Sequence, residues 1–449
     1  MAKFVKHGKV EDTKADGARW RNWAREQSCS PAAIVRPATR EGLVAAVIKA
    51  AADGGKVKVA GSGHSFTDAA LTDGIMLRLE GLDRVLDFDR SSGRVKVEAG
   101  IVLRPLNRRL DEFGVAMANL GDIDHQTLAG SISTGTHGTG ARFQNVSAQI
   151  AAIELVTADG TTLELSANSD PDAFRAARVG IGALGAIYSV TLETVPAYTL
   201  NRVDRARPLA QTLYGLDELT SSLDHFEFYV FPHTDIAVCR ETHRTGEEPK
   251  PRHPARVFAQ EMVLENGVGA AFSGLARQFP QMGPWLARRA SATVSNETKI
   301  DKSYKVFASQ RHIKFTEMEY AIPRQRAREA IERVVKIASR PEHQVAWPIE
   351  VRFVAADDAL LSPSHERDTC YIAVHQDRKL DWESYFREVE AVLGAMEGRP
   401  HWGKRHFMRA DSLSQRYPRW ADFQAVRKRL DPEGAFSNSY TERVLGPVA

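Results

Sequence analysis

A GSGHS pentapeptide at residues 61–65 directly follows a short alternating stretch, Val57 to Val59. Glycines at such a position let backbone N–H groups turn toward a phosphate, and Ser65 adds a hydroxyl donor. The spacing matches neither the GxGxxG motif of Rossmann sites nor the GxxxxGK[ST] motif of P-loop sites, so nicotinamide cofactors and nucleoside triphosphates are not favoured. Taken alone, the glycines are equally well explained by a tight turn without a ligand.

A second small-residue segment, LAGSISTGTHGTG, occupies residues 128–140. Its low apolar bulk makes it a poor candidate for filling a core, and it suits a backbone that lies against a large flat or phosphorylated ligand. The alternative is a glycine-rich surface loop. Strand-like hydrophobic stretches on both sides make a flexible loop the weaker interpretation.

Glu350 and Arg352 are two residues apart in an alternating stretch, so a strand would place both side chains on one face. Their apolar neighbours indicate that the opposite face is buried. A surface ion pair, which stabilises a protein little, is the alternative. Near the C-terminus an HWGK segment at 401–404 offers Lys404 as a positive charge for an anion, with a surface turn as its alternative.

A metal site built from His64, His125 and His137 is not expected, because these residues lack short ligand spacings such as HExxH and no acidic cluster accompanies them. Three widely separated cysteines argue against a disulfide framework or a zinc ribbon and indicate a reducing, cytoplasmic compartment.

The net charge of +3 is close to balance, which argues against a nucleic-acid binder. The sequence contains no apolar run of about 18 residues, so no transmembrane helix is expected, while peripheral membrane contact is left open.

The length of 449 residues predicts two or three folding units. The first 196 residues read as an α+β region rich in glycine and short strands, with a helix after Thr39, a strand at 94–98, a helix ending at Gly114 and a β-hairpin at 150–165. After Pro196 longer elements are predicted: strands Glu227–Phe231, Ile349–Phe353 and Tyr371–Val374, helices Pro323–Ala338 and Trp382–Leu393, and a polar loop Gly246–Pro254.

The segments GSGHS, NLGDIDHQTLAG, THGTG, PIEVRF and HWGKRH together resemble the aldonolactone oxidases and dehydrogenases, which are vanillyl-alcohol-oxidase-type flavoproteins. The resemblance covers nearly the whole chain and is strongest to the actinobacterial L-gulono-1,4-lactone dehydrogenase branch. It implies an α+β, two-domain FAD-binding fold. Residues 1–196 (core 31–196) would bind FAD, residues 197–399 would form a substrate-binding cap, and residues 400–449 would return to the FAD domain.

The resemblance also implies how FAD is held. His64 would be linked covalently to the flavin 8α-methyl group. The other implied cofactor-binding residues are Gly61, Ser62, Gly63, Ser65, Phe66, Gly121, Asp122, Thr127, Gly130, Thr134, Gly135, Thr136, His137, Gly138, Ile187, His401 and Lys404.

For catalysis the resemblance implies that Glu350 binds substrate hydroxyls and helps remove the proton. Arg352 would orient the lactone, and Lys404 would add positive charge beside the flavin. Gly121 stands where oxidases of the family carry glycine and plant dehydrogenases alanine, so a steric block to dioxygen is missing. Asp122 replaces a serine of the alditol oxidases, which favours a lactone over an open-chain polyol.

The implied reaction is oxidation of a ring carbinol of an aldono-1,4-lactone, of the L-gulono or D-arabinono kind, with dioxygen or another electron carrier as final acceptor. Three alternatives stay open: an alditol oxidase, a flavin-binding scaffold without turnover, and a UDP-sugar reductase using the same type of FAD domain. Intact Glu350, Arg352 and Lys404 speak against the scaffold.

Overall fold

The computed structural model describes residues 18–250, 297–309 and 314–448, together with six single positions between 278 and 289. Helices and sheets are mixed along the chain, which confirms the predicted α+β class. The predicted polar loop Gly246–Pro254 is described only as far as Lys250, and its remainder lies outside these ranges. Within them, no helix combines the length and the apolar character needed to cross a membrane.

Before Pro196 the strands form two main sheets and contribute to two short ribbons. A small parallel sheet has the order Ala33–Val35, Ile75–Leu77, Val57–Val59. An antiparallel sheet has the order Thr162–Ser166, Ile150–Val156, Ala186–Glu193, Arg94–Glu98, Val85–Asp89. The ribbons pair Trp20–Arg21 with Ser28–Cys29, and Val115–Ala116 with Val195–Pro196. The predicted strands and hairpin of this region are therefore confirmed.

Two threonines start helices in this region. Thr39 caps helix Arg40–Ala51 by accepting a hydrogen bond from the Gly42 amide at 3.0 Å. Thr127 caps helix Leu128–Ser133 through the Gly130 amide at 3.3 Å. This second helix was not predicted from the sequence, and the expectation that residues 128–140 stay out of the core is wrong for Leu128 and Ile132, which are fully buried. The remaining helices of this region are Leu103–Glu112 and Pro171–Arg178.

After Pro196 the described strands form one large antiparallel sheet, in the order Glu297–Lys302, Thr199–Pro208, Ile236–Thr245, His225–Val230, Ile349–Val354, Thr369–Gln376, Thr316–Pro323, Arg399–Pro400. One face is apolar, with Phe228, Val351 and Ile372 in adjacent strands. This face shares a hydrophobic core with helices Ala327–Ala338 and Glu383–Ala395. The predicted elements are confirmed with shifts of a few residues, the predicted helix from Pro323 starting as a 3₁₀ turn at Arg324–Arg326. The shorter helices are Leu209–Tyr214, Leu216–Ser222 and Ser303–Phe307.

The tail contacts both halves of the molecule. The amides of His401 and Arg405 donate to the carbonyls of Glu319 and Glu317 in the large sheet. Further along, the Val57 amide donates to the carbonyl of Ala435, beside the GSGHS segment. Helices Ala410–Ser414, Trp420–Leu430 and Ser439–Leu445 complete the tail. These contacts accord with a returning C-terminal segment, while the domain boundaries at 196 and 400 stay predictions.

Candidate active site

A cleft of about 970 Å³ opens beside the GSGHS segment, and we call it the main cleft. Its walls come from the loop after strand Val57–Val59, from helix Leu128–Ser133 and from the turn before strand Ala186–Glu193. The structure brings about half of the predicted cofactor residues together there: Gly61, Ser62, Gly63, His64, Ser65, Thr127, Gly130, Thr134 and Ile187. Lys58 and Gly182 also line the cleft and were not predicted.

The GSGHS backbone has the form of an anion cradle. A side chain at Gly61 would place its Cβ 2.4 Å from the Thr127 hydroxyl, and Gly63 has a φ of +75°, so both positions require glycine. Within the described part of the chain, the amide N–H groups of residues 61–65 donate to no protein acceptor. Adjacent free N–H groups at the rim of a cleft suit a diphosphate. The residues present therefore fit FAD, whose diphosphate they would hold.

His64 is placed as a neutral imidazole at the edge of the main cleft. Its ring stacks on Trp23 at a centroid distance of 5.5 Å and faces His125 at 6.3 Å. Burial, followed by the neighbouring His125 and the cations Lys314 and Lys404, lowers the pKa of His64 to about 4. A ring that stays unprotonated at neutral pH keeps a nitrogen lone pair available for bond formation.

The second face of the large sheet carries the charged candidates. Strand register places Glu350 opposite Ala373, which in turn lies opposite Glu319, and it places Arg352 opposite Glu227. Paired residues and residues two apart share a face. This surface, called the charged face below, comprises Asp204, Glu227, Tyr229, Arg240, Glu317, Glu319, Glu350, Arg352 and His375.

Arg352 lies at the centre of the charged face. Its guanidinium forms ion pairs with Glu350, with Glu227 at 3.0 Å and with Asp122 at 3.4 Å. Glu350 and Arg352 are 4% and 7% exposed, so the surface ion pair considered from the sequence is wrong. Burial would lower the pKa of Arg352, but Glu350 and Asp122 outweigh it and hold that pKa well above the usual value. The result is a fixed cation that carries forked donors.

Residues around this pair were missed by sequence reasoning. The Tyr229 hydroxyl donates to Glu350 at 2.9 Å, and Arg240 binds Glu227 at 2.6 Å. Burial would raise the pKa of Glu227, but Arg352 and Arg240 hold it below the usual value. Glu227 lies in a predicted strand, but its contact with Arg352 depends on how the two strands are paired. That register cannot be predicted from the local sequence around Glu227.

Lys404 contacts the charged face from the tail. Its ammonium pairs with Glu317 and lies 5.2 Å from the centre of the Phe66 ring. His375 approaches the same carboxylate at 3.6 Å. Burial would raise the pKa of Glu317, but Lys404 and His375 hold it well below the usual value. The positive charge of Lys404 is thus partly compensated by a carboxylate that the sequence analysis did not single out.

His137 and His401 meet at Glu319 on the same face. His137 Nδ1 lies 2.8 Å from the Gly138 carbonyl, and its Nε2 lies 3.1 Å from Glu319. His401 Nδ1 accepts from the Gly403 amide at 3.0 Å. Burial would raise the pKa of Glu319, but His137 and His401 lower it to about 2.

Ligand atoms of His137, Glu319 and His401 all lie within 4.8 Å of one another, so His137 groups with these two residues and not with His64 and His125. Both nitrogens of His137 already face hydrogen-bond partners. The absence of a metal remains a prediction.

The other predicted cofactor residues lie outside the main cleft. Phe66 packs against Phe315, and Gly135 packs against Pro363. Asp122 and Gly138 line a separate hollow next to Arg352. Thr136, His137, His401 and Gly121 form a buried layer near the charged face, where a Cβ on Gly121 would lie 3.1 Å from the His137 carbonyl. The cofactor role of both groups, inside and outside the main cleft, stays a prediction.

Comparison with known proteins gives the family. A model described as D-arabinono-1,4-lactone oxidase matches residues 190–444, and a model described as FAD binding domain matches residues 31–166. The chain is 50% identical to the L-gulono-1,4-lactone dehydrogenase of Mycobacterium tuberculosis over 95% of this chain and 99% of that protein. It is 34% identical to the L-gulonolactone oxidase of Mus musculus, and the match covers 96% of this chain and 98% of that protein. It is 32% identical to an alditol oxidase of a Streptomyces species, and the match covers 94% of this chain and 98% of that protein.

Among solved structures, cholesterol oxidase from B. sterolicum superposes with a TM-score of 0.81 over 96% of this chain and 97% of that one, at 14% sequence identity. This likeness concerns the fold alone and confirms the predicted vanillyl-alcohol-oxidase-type architecture. The two family models, the near full-length relatives and the diphosphate cradle agree. The chain belongs to the D-arabinono-1,4-lactone oxidase family and is an FAD-dependent oxidoreductase.

Proposed function

We propose that this protein oxidises the C2 hydroxyl of an aldono-1,4-lactone of the L-gulono or D-arabinono kind, with FAD as the immediate electron acceptor. The observation that carries the proposal is the buried Glu350–Arg352 pair, with Lys404 on the same face of the large sheet. When bound, FAD supplies a two-electron acceptor for hydride. The names of the 50% and 34% identical relatives point to the same substrate class.

The side chains divide the work by their chemistry. The Arg352 guanidinium donates to the oxygen atoms of the lactone and orients the ring. Glu350, held by Arg352 and by the Tyr229 hydroxyl, accepts from the substrate hydroxyl and helps to take its proton. Lys404 supplies positive charge, which its pairing with Glu317 moderates.

Anaerobic mixing with L-gulono-1,4-lactone, D-arabinono-1,4-lactone and xylitol tests the proposal. Bleaching of the flavin absorbance near about 450 nm by a lactone, and much slower bleaching by xylitol, is the expected result. Faster reduction by xylitol would favour an alditol oxidase, an alternative supported by the Streptomyces relative. If no lactone or polyol bleaches the flavin, a flavin-binding scaffold becomes the better reading, and reduction by NADPH would favour the UDP-sugar reductase.

We also propose that His64 carries the flavin through an 8α-histidyl bond. Its position on the main cleft and its lowered pKa of about 4 support a neutral, nucleophilic ring nitrogen. The denatured protein should then show a fluorescent band on a gel, and His64→Ala should lose that band while the flavin becomes extractable. Complete release of FAD from the unsubstituted protein by acid precipitation would refute the bond.

The final electron acceptor and the location belong to the same proposal. Glycine at position 121 supports direct access of dioxygen to the flavin, with a protein or quinone-like carrier as the other acceptor. The three cysteines are all unpaired, which supports a cytoplasmic location, with peripheral membrane contact as the open alternative. Oxygen consumption during turnover distinguishes the two acceptors.

A further inference from the structure

A second hollow, called the side hollow, adjoins Arg352 on the side that faces Asp122 and Glu227, and its enclosed free space suits about one water-sized group such as a hydroxyl. Its remaining walls come from the strands of the large sheet beyond Arg352 and from helix Ser303–Phe307. The lining includes Thr139, Arg202, His225, Arg240, Thr242 and Val306. Thr139 belongs to the small-residue segment 128–140, the other five residues were not singled out by the sequence, and the roles proposed above use none of the six.

His225 presents an unused acceptor at this hollow. The side chain is 2% exposed, and its Nδ1 lies 2.8 Å from the Thr139 carbonyl, so this nitrogen carries the proton and donates it. Its Nε2 has no partner within the described residues. Burial is the main cause that lowers the pKa of His225 to about 4, so the ring is neutral and Nε2 is an acceptor. Phe143 at 4.5 Å and Phe307 at 4.9 Å fix the ring plane.

The charges around the side hollow decide what can occupy it. Three guanidiniums approach it, and each already pairs with a carboxylate: Arg202 with Asp204 at 3.2 Å, Arg240 with Glu227 at 2.6 Å, and Arg352 with Asp122 at 3.4 Å. Glu350 adds a further carboxylate to Arg352. Among the described residues that line the side hollow, no uncompensated positive charge is left for a carboxylate or phosphate ligand. A neutral group that can donate to a lone acceptor fits better, and a hydroxyl is such a group.

We propose that the side hollow is the subsite for the hydroxylated side chain of the lactone, whose hydroxyl donates to His225 Nε2. The proposal rests on the proposed function, because it assigns the substrate ring to Arg352 and its side chain to the adjoining hollow. His225 then determines specificity for chain length beyond the ring. It takes no part in the redox step.

A series of three lactones tests the subsite. L-gulono-1,4-lactone has a side chain of two carbons, D-arabinono-1,4-lactone has one, and a tetrono-1,4-lactone has the ring alone. His225→Phe preserves the ring stacked on Phe143 and removes the acceptor, and the Thr139 carbonyl keeps its bond from Asn119 at 3.2 Å. We expect the KM of the two lactones with side chains to rise by about tenfold, with kcat little changed. The KM of the tetronolactone should stay within about twofold of its original value.

Two further variants distinguish the loss of the subsite from a folding defect. His225→Gln offers an amide oxygen and should recover most of the affinity, whereas Val306→Phe fills the hollow and should raise KM for the same two lactones. His343→Phe is the matched control, because this buried histidine packs against Tyr385 and does not line the side hollow. Flavin content and thermal unfolding are measured for every variant.

The outcomes separate the two proposals. If no lactone reduces the flavin of the unsubstituted protein, the proposed function fails and the subsite fails with it. Suppose instead that lactones are oxidised. If His225→Phe and Val306→Phe then change the KM of all three lactones equally, or change none of the three KM values, the subsite alone is overturned. A rise in KM confined to the lactones with side chains supports it.

Discussion

The main cleft and the charged face are built by different means. The main cleft is lined by glycines, small hydroxylated residues and free backbone N–H groups, with Lys58 and His64 as its ionisable lining residues in the described chain. The charged face consists of buried ionisable side chains that pair with one another. A backbone cradle depends on where side chains are absent, whereas a charged face depends on every partner being present. Substitutions in the main cleft should therefore change the cofactor content, and substitutions on the charged face should change the reaction rate or the stability.

Arg352→Ala is expected to have the largest effect and tests the charged face directly. It removes the cation from Glu350, Glu227 and Asp122, together with the forked donor that we propose for the substrate. The rate of flavin reduction by lactone should fall by about 10²–10³-fold, measured by anaerobic stopped flow. Arg352→Lys keeps the charge without the forked donors, and its rate of flavin reduction should lie between those of Arg352→Ala and the unsubstituted protein. Equal rates in Arg352→Ala and the unsubstituted protein would exclude the proposed role.

Glu319→Gln tests whether the charged face also supports the fold. Gln keeps an acceptor for His137 but removes the charge, so the free energy of unfolding at pH 7 should fall by about 1.5–3 kcal/mol. Since the pKa of Glu319 is lowered from 4.5 to about 2, its contribution is complete above pH 4.5 and is lost as the pH falls toward 2. Urea titrations should show the difference between variant and parent shrinking below pH 4.5. Glu164→Gln, on an exposed strand position, is the control, and a pH-independent difference would contradict the charge effect.

Gly61→Ala tests the main cleft. The added Cβ meets the Thr127 hydroxyl, so the loop or the helix cap must shift, at a cost of about 1–3 kcal/mol. We expect a lower ratio of bound flavin to protein in the absorbance spectrum, with a normal reduction rate for the fraction that retains flavin. Gly215→Ala, where the nearest atom would be 3.5 Å away, is the matched control. Full flavin content in Gly61→Ala would mean that the cradle tolerates a side chain.

Gly121→Ala addresses the buried layer near the charged face and should have the smallest effect. The added methyl would lie 3.1 Å from the His137 carbonyl and 3.3 Å from Thr136 Cγ2, which small adjustments can accommodate. Reoxidation by dioxygen should slow several-fold, while reduction by lactone stays nearly constant. The two half-reactions are measured separately by stopped flow. An unchanged reoxidation rate would remove Gly121 from the path of oxygen.

The two regions also differ in how well the sequence predicts them. The cradle is a contiguous pentapeptide, and its glycine requirement can be read locally, as can the helix started by Thr39. On the charged face only Glu350 and Arg352 could be seen together, because they are neighbours on one strand. Glu227, Glu317 and Glu319 join them through register between strands that are far apart in the chain. Helix Leu128–Ser133 was missed because its small residues carry almost no helical periodicity.

The contacts of the tail have a consequence for biosynthesis. Lys58 is buried beside the GSGHS segment, and its ammonium donates to the carbonyls of Gly182 and Phe436 at 3.0 Å each. Phe436 and Lys404 leave the ribosome after every described strand of the three main sheets has been made. A nascent chain can therefore pair most of its strands before the tail exists, but the contacts of the tail beside the main cleft form only near the end of translation. Maturation should accordingly be late, and a stop codon placed just before Lys404 should yield a colourless polypeptide.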